Sequence, residues 1–232
     1  HNNSEKEHRY SRKIENTMGI DYQLAANSHI GAKYLIRWSL QDKMRMTNLN
    51  NVLANGEYYD QLITNGAEQN HYHPYHQLNV YYSGLISGYT VNADMDYLRS
   101  QSATDDDYEE LSKDYLNRVV HSISKVKNEL MSYRLSGGHK IGVGNLSAGM
   151  EYMKTDRHDD YTNLEKYVPT SVSQLKEEHL SPFMEYSALT PVGYLTAGVR
   201  YEYVSLDYYS DGVKMPEQCR TDRQWFPSLS WG

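Results

Sequence analysis

The chain has 232 residues, which is enough for one large domain or two small ones. Its net charge of −7 at pH 7, and the lack of a Lys/Arg stripe on any candidate strand, argue against a nucleic-acid partner. The single cysteine, Cys219, excludes an internal disulfide and a cysteine-based zinc site, and no apolar run is long enough for a membrane helix.

The aromatic composition is unusual, with 23 Tyr and 3 Trp against 2 Phe. A tyrosine buried in a water-soluble core needs a hydrogen-bond partner for its hydroxyl. A tyrosine at an interface, of a protein or of a membrane, keeps its ring in an apolar medium and its hydroxyl in a wet one. The composition therefore favours an interfacial protein.

Nine segments alternate between apolar and polar residues, as strands with two different faces do. In chain order they are residues 17–24, 29–40, 77–84, 89–98, 128–136, 145–153, 180–188, 193–209 and 225–232. The alternation is clearest in 89–98, and no helical period of useful length competes with it. Such patterns predict strands.

The segments are joined by two kinds of connection. Short ones are expected at 25–28, 84–87, 136–140 and 190–192, and long polar ones near 47–58, 102–115, 155–169 and 209–222. This arrangement predicts an all-β fold, an antiparallel up-and-down meander of about nine long strands that forms a barrel or a barrel fragment. Residues 1–232 show no domain boundary and are predicted to form a single barrel domain.

In these predicted strands, one set of alternate residues is continuously apolar and the set between them is polar. The polar set carries charged residues in the middle of the strands. The predicted lumen-facing residues are Lys33, Arg37, Asp94, Asp96, Glu151, Glu185, Arg200 and Glu202. Tyr89 and Tyr97 bracket one apolar segment at a spacing that corresponds to roughly 20 Å of membrane height at a 40° tilt. A membrane barrel is therefore favoured over a soluble sandwich, in which the polar face would meet bulk water.

Three short motifs carry a resemblance to a known family. The first is an entry strand in which a Glu and a Tyr lie eight residues apart, at Glu178 and Tyr186. Residues 197–202 read Ala-Gly-x-Arg-Tyr-Glu, and residues 226–230 read Phe-Pro-Ser-Leu-Ser. In their order and spacing these motifs resemble the Bacteroidota outer membrane β-barrel family, whose members are similar to the barrel of TonB-dependent receptors. The resemblance covers most of the chain and is strongest from about residue 117 onward.

The resemblance implies an outer-membrane location and a role as barrel wall and extracellular loops of a nutrient-uptake receptor, without enzymatic activity and without a cofactor. It implies the lipid bilayer, or detergent in its place, as a partner. The sequence holds no plug domain, so the plug and TonB-type energy coupling are expected outside this segment. The polar opening of the chain is typical of a mature segment or an excised fragment.

Few residues suggest site chemistry. His71, His73 and His76 form a weak candidate metal site, although Pro74 interrupts the segment and no carboxylate or cysteine completes the set. Asp105, Asp106 and Asp107 lack the ligand spacing and glycine of a calcium loop, and His158 beside Asp159 and Asp160 is a weak candidate for rim chemistry. Solvated side chains are the simpler interpretation in each case, and the transported ligand cannot be inferred.

Two further expectations concern the segment by itself. The alternative function is that of a soluble, tyrosine-rich β-sheet module that binds ligands such as glycans by stacking. An isolated barrel fragment would also expose open strand edges and a wide apolar face. In the absence of detergent this face is expected to be covered either by the sheet curling on itself or by self-association with a second copy.

Overall fold

The computed structural model describes residues 4–232, which form one antiparallel β-sheet. The strands are β1 (Ser4–Ala25), β2 (Ser28–Ala54), β3 (Glu57–Tyr72), β4 (Tyr75–Ile86), β5 (Tyr89–Ser112), β6 (Arg118–Ile141), β7 (Gly144–Asn163), β8 (Ser171–Thr190), β9 (Gly193–Ser210), β10 (Val213–Lys214) and β11 (Arg220–Trp231). A short 3-10 helix, Pro216–Gln218, separates the last two strands. No helix in this part of the chain is long and apolar enough to cross a membrane.

The eleven strands form nine strand positions. β3 and β4 lie end to end between β2 and β5, and they are separated only by His73 and Pro74. β10 and β11 likewise both pair with β9. Every neighbouring pair is antiparallel, so the predicted all-β, up-and-down meander of about nine long strands is confirmed.

The sheet has two open edges. Within residues 4–232, β1 pairs only with β2 and β11 pairs only with β9, and no ladder joins the first strand to the last. Edge strands leave a row of backbone N–H and C=O groups available for pairing. The architecture is therefore barrel-like in its meander and strand lengths, with both edges of the sheet open.

Most hairpin turns have two residues. At one end of the sheet these are residues 26–27, 87–88, 142–143 and 191–192, and at the other end 55–56 and 211–212. Asn55 and Gly56 both have positive φ, as do Asp211 and Gly212, which is the backbone of the type I′ turn that matches the right-handed twist of the strands.

The predicted connections need several corrections. Residues 47–54, 102–112 and 155–163 are strand rather than long loop, and 113–117 and 164–170 remain as longer connections. The predicted short turn at 136–140 lies inside β6, and the chain turns at 142–143 instead. The sequence signal failed because both faces of the outer strand halves mix polar and apolar residues, which removes the period-2 hydrophobic pattern without ending the backbone pairing.

The registers sort the side chains onto two faces. Directly opposite residues point to the same side of the sheet, so a row of partners can be followed from strand to strand. One such row is Ile20, Ala32, Val80, Met95, Tyr133, Tyr152, Leu180 and Tyr203. This row is apolar across eight strand positions, which defines an apolar face and, behind it, a polar face.

The chain buries almost no apolar side chain. Ala188 is the one buried hydrophobic residue in the described part of the chain, whereas Ile20, Leu135, Met184 and Leu229 are exposed on the apolar face. A single sheet has no second layer to pack against, so the apolar face is not covered within the chain.

Candidate functional site: the two faces of the sheet

The eight predicted lumen-facing residues lie on one face of the sheet. Their registers connect Lys33 to Asp96 through Asn79, and Asp94 to Glu151 through Arg134. The same ladders place Arg37, Glu185, Arg200 and Glu202 on this polar face. The prediction that these side chains share a face agrees with the geometry; whether this face lines a lumen is a proposal, taken up below.

An ion-pair network crosses the middle of the polar face. Glu151 accepts from Arg134 Nε at 2.7 Å with one oxygen and from an Arg200 terminal nitrogen at 3.3 Å with the other. Arg200 also donates through Nε to Glu202 at 2.8 Å. The network therefore links β6, β7 and β9, and it fixes the orientation of both guanidinium groups.

A recess of about 420 Å³ opens beside this network. Asp94 and Asp96 line one side, and the Asn79 amide donates to Asp96 at 3.0 Å. His179 and the buried Ser181 line the other side. A recess with carboxylates, guanidinium groups and a hydroxyl can bind polar solutes.

Three of the residues of this recess that sequence reasoning missed are Arg134, His179 and Ser181. Arg134 could have been found, because it alternates with the apolar residues Tyr133 and Leu135 in a segment that was already predicted to be a strand. The other two depend on the register between β7 and β8, which the sequence does not specify.

The remaining predicted residues lie outside the recess. Arg37 donates through Nε to Glu15 at 2.7 Å, and its guanidinium lies 5.2 Å from the ring centroid of Tyr75. Glu185 is exposed near the short-turn end, with Ser187 Oγ at 3.5 Å.

The three candidate metal-binding histidines do not converge. His71 Nε2 lies 3.0 Å from Asp105 Oδ2, whereas His76 Nδ1 lies 2.6 Å from the Tyr34 hydroxyl. His73 occupies the break between β3 and β4. Across residues 4–232, no group of three or more His, Cys, Asp or Glu side chains is placed to hold a metal ion.

The acidic loop candidates are strand residues. Asp105 and Asp107 share one face of β5 and Asp106 points to the other, so they do not form a cage. Burial and the nearby Glu68 raise the pKa of Asp106. His158 lies 3.2 Å from Asp156 Oδ1 and contacts Gln174 rather than a rim site.

The apolar face forms a belt that ends sharply. In cross-strand order its last apolar residues are Leu40, Leu78, Tyr97, Met131, Tyr152, Leu180, Tyr203 and Trp225. Charges follow on the same face, where Arg99 pairs with Glu129 at 3.4 Å and Lys154 pairs with Glu178 at 3.0 Å. Beyond this boundary neither face of the sheet is continuously apolar.

The boundary of the belt runs obliquely to the strands. The row of directly opposite residues that contains Tyr97 reaches Thr221 in β11. Thr221 lies four residues beyond Trp225, the last apolar residue of that strand. Toward the other edge of the sheet, the same row reaches Tyr34 in β2, which lies six residues before Leu40, the last apolar residue of that strand. From β2 to β11 the boundary thus shifts by ten residues over seven steps between neighbouring strands, six of them in the step from β2 to β4. At ~3.3 Å per residue and ~4.8 Å between strands this averages an inclination of roughly 45°.

Beyond the belt, a β-bulge redirects a carboxylate. The register of β1 and β2 shifts between Arg12 and Lys13, which leaves Leu40 unpaired and turns Asp42 toward the polar face. Asp42 is 1% exposed and accepts from Arg9 at 3.2 and 3.3 Å and from Tyr72 at 3.1 Å. Burial opposes ionisation, but these donors outweigh it and hold the pKa of Asp42 below its ordinary value.

A second cluster ties the 164–170 connection to β6. Glu165 accepts from the backbone N–H of His121 at 2.7 Å and contacts His121 Nδ1 at 2.5 Å, while Asp107 lies 3.3 Å from His121 Nε2. The buried Asn163 donates to the His121 carbonyl and accepts from the Tyr167 N–H. The Glu165 contact raises the pKa of His121, and the His121 backbone and side chain together lower the pKa of Glu165.

Comparisons with known proteins give similarity of structure only. No protein-family model matches the chain, and no curated protein sequence matches it. The outer membrane protease OmpT from Escherichia coli is 11% identical with a TM-score of 0.33, over 91% of this chain and 80% of that one.

Two receptor structures are also similar to the chain. The ferric yersiniabactin uptake receptor FyuA from Yersinia pestis is 8% identical with a TM-score of 0.40, over 96% of this chain. The alcaligin outer membrane receptor FauA from Bordetella pertussis is 10% identical with a TM-score of 0.36, over 97% of this chain. The chain spans 42% and 39% of the length of these two receptors.

Proposed function

We propose that this chain is wall of an outer-membrane β-barrel, with its apolar face against lipid and its polar face toward a wet lumen. The oblique apolar belt is the observation that supports this proposal. Strands of outer-membrane barrels tilt by about 35–45°, so a horizontal membrane boundary crosses their hydrogen-bonded rows at that angle. The average inclination of roughly 45° found here, at ~3.3 Å per residue and ~4.8 Å between strands, lies at the upper end of this range.

The height of the belt supports the same proposal. Tyr89 and Tyr97 bracket the apolar part of β5, and their spacing corresponds to roughly 20 Å along the membrane normal, close to the apolar band of about 25 Å in such barrels. A soluble sheet has no reason to end its apolar face along a boundary that is inclined to its rows across eight strand positions.

Within this proposal the chain belongs to a receptor-like transporter for nutrient uptake and is not an enzyme. Its strands supply barrel wall, and the connections at 113–117 and 164–170 supply extracellular loops. The recess at Asp94, Glu151 and Arg200 then lies in the lumen, where its charges contact the solute or a plug. The plug and TonB-type energy coupling are contributed by polypeptide outside this segment, and the assignment to Bacteroidota rests on the sequence motifs alone.

The test uses the three native tryptophans, Trp38, Trp225 and Trp231, which all lie on the apolar face. The chain is folded into vesicles with and without brominated acyl chains, and tryptophan emission is recorded. Lipid-facing rings are quenched by bromine and shielded from aqueous acrylamide. Quenching by acrylamide alone, at full strand content by circular dichroism, would contradict the lipid-facing assignment.

The behaviour of the chain in detergent-free buffer separates the proposal from the soluble alternative. A soluble module with exposed rings such as Tyr133 and Trp225 would stay monodisperse in detergent-free buffer and bind oligosaccharides by stacking. The membrane wall requires vesicles or detergent, because a belt of this width is not stable in water.

A further inference from the structure

Three backbone irregularities meet at one place on the polar face. β1 carries the register shift between Arg12 and Lys13, opposite Ser39 of β2. β2 pairs with β4 up to Arg37 and with β3 only from Lys43 onward. The interrupted partner strand leaves the ladder open beside His73 and Pro74. Bulges and breaks of this kind are concentrated next to binding sites, where they redirect side chains.

The opening forms a recess of about 220 Å³. Lys13, Arg37 and the hydroxyl residues Ser39, Ser100 and Ser102 line it together with the 72–75 segment. Ser39 Oγ is buried and has no hydrogen-bond partner within residues 4–232. A buried hydroxyl without a partner is uncommon, because losing hydration without a replacement costs free energy.

The electrostatics of the recess favour an anion. The nearest carboxylates are already paired, since Asp42 is held by Arg9 and Tyr72 and Glu15 is held by Arg37. Lys13 makes no ion pair within the described residues, although the charge of the Asp42 carboxylate interacts with Lys13 at longer range. The recess thus combines the Lys13 ammonium group and the Arg37 guanidinium group with serine hydroxyl donors.

We propose that this recess binds a small oxyanion, a carboxylate or phosphate group, through Lys13, Ser39 and the serines of β5. Ammonium and guanidinium groups with hydroxyl donors are the groups that bind such oxygens in charge-assisted hydrogen bonds. The site is defined by the β1–β2–β3/β4 irregularity and does not depend on the membrane proposal. An oxyanion also supplies the acceptor that Ser39 Oγ lacks.

The experiment is a titration of the full chain, folded in detergent micelles, with inorganic phosphate and, separately, with acetate. Binding is followed by the amide resonances of Ser39, Ser100 and Ser102, at constant ionic strength set with chloride. We expect saturable shifts with an affinity in the millimolar range, a weak affinity for one charge and a few hydrogen bonds. Phosphate and acetate arms show which oxyanion geometry the recess prefers.

Two variants and a matched control decide the assignment. Lys13→Gln should weaken binding by about tenfold, and Ser39→Ala by a smaller factor of about three. Lys33→Gln removes the same charge from the same face, outside the recess, and should change the affinity by less than about twofold. Ser39→Ala preserves all charges, so it stays informative if Lys13→Gln perturbs folding.

The proposal is overturned if neither anion gives saturable shifts up to about 50 mM, well above the dissociation constant expected for such a site. It is equally overturned if Lys13→Gln and Lys33→Gln weaken binding alike, which would indicate general attraction to the positive charges of the face.

Discussion

Tyr133 of β6 and Tyr152 of β7 lie directly opposite each other on the apolar face, with ring centroids 6.4 Å apart and ring planes inclined by 26°. Tyr133 remains 41% exposed although it lies in the middle of a nine-position sheet. The pair shows a central property of this chain, which is that apolar side chains contact one another on an exposed face of the sheet rather than in a core.

A charge placed on the apolar face should destabilise the barrel wall strongly. Val91 lies on this face within the belt, and Asn92 lies on the polar face, where it accepts from Ser83 Oγ at 2.7 Å. Val91→Arg should cost about 2–4 kcal/mol if the side chain lies near the bilayer midplane. Asn92→Arg is the matched control and should cost much less. Urea titration of the folded chain in vesicles measures both, and equal costs would contradict the assignment of the two faces.

The carboxylate of Glu151 should matter more than other acids of the polar face. Glu151→Gln weakens its contacts with Arg134 and Arg200. Because these side chains are partly exposed, we expect a loss of about 0.5–1.5 kcal/mol in the free energy of unfolding. Glu185→Gln, on the same face but without an arginine partner in the described residues, should cost close to zero. A Glu185→Gln cost as large as that of Glu151→Gln would argue against the network.

Asp42 should make folding sensitive to acid. Its pKa is lowered in the folded chain, so the stabilisation it gives is present above its unfolded pKa and is lost as the pH falls through the folded value. Asp42→Asn should lower stability at pH 7 by about 1–2 kcal/mol, the range for a weakened charge-assisted hydrogen bond. The variant should also show a flatter stability profile below pH 4, the region in which an aspartate titrates. Parallel profiles for the two proteins between pH 3 and 7 would contradict this role.

The connection 164–170 should loosen at alkaline pH. The pKa of His121 is raised by Glu165, so the contact is fully present below the ordinary histidine pKa and is lost as the pH rises through the raised value. Hydrogen exchange at Tyr167, whose N–H is held by Asn163, measures the change. Exchange should be corrected for its intrinsic pH dependence.

His121→Gln supplies the control for this effect. It removes the titrating group but keeps the backbone N–H that donates to Glu165. The connection should then be partly open at every pH, with no further transition above neutrality. A transition of the same size in the variant would assign the loosening to another group.

The sequence by itself determined the strand class, the meander and the two faces. Strict alternation in segments such as 89–98 leaves only one assignment of faces, because side chains in a strand point to opposite sides with a period of two. This is why Asp94, Glu151, Arg200 and Glu202 could be placed together on one face without any knowledge of register.

The tertiary structure decided features that the period-2 alternation of side chains does not encode. Strands continue beyond the belt, because backbone pairing persists where both faces are wet and no hydrophobic pattern marks it. One extra residue at Leu40 reverses the parity of β2 and turns Asp42 toward the polar face, where uninterrupted alternation from Leu40 would place it on the apolar one. The oblique boundary of the belt can be seen only once the registers between strands are known. An angle across the sheet is defined by how far neighbouring strands are shifted relative to one another, and the residues of a single strand do not contain that information.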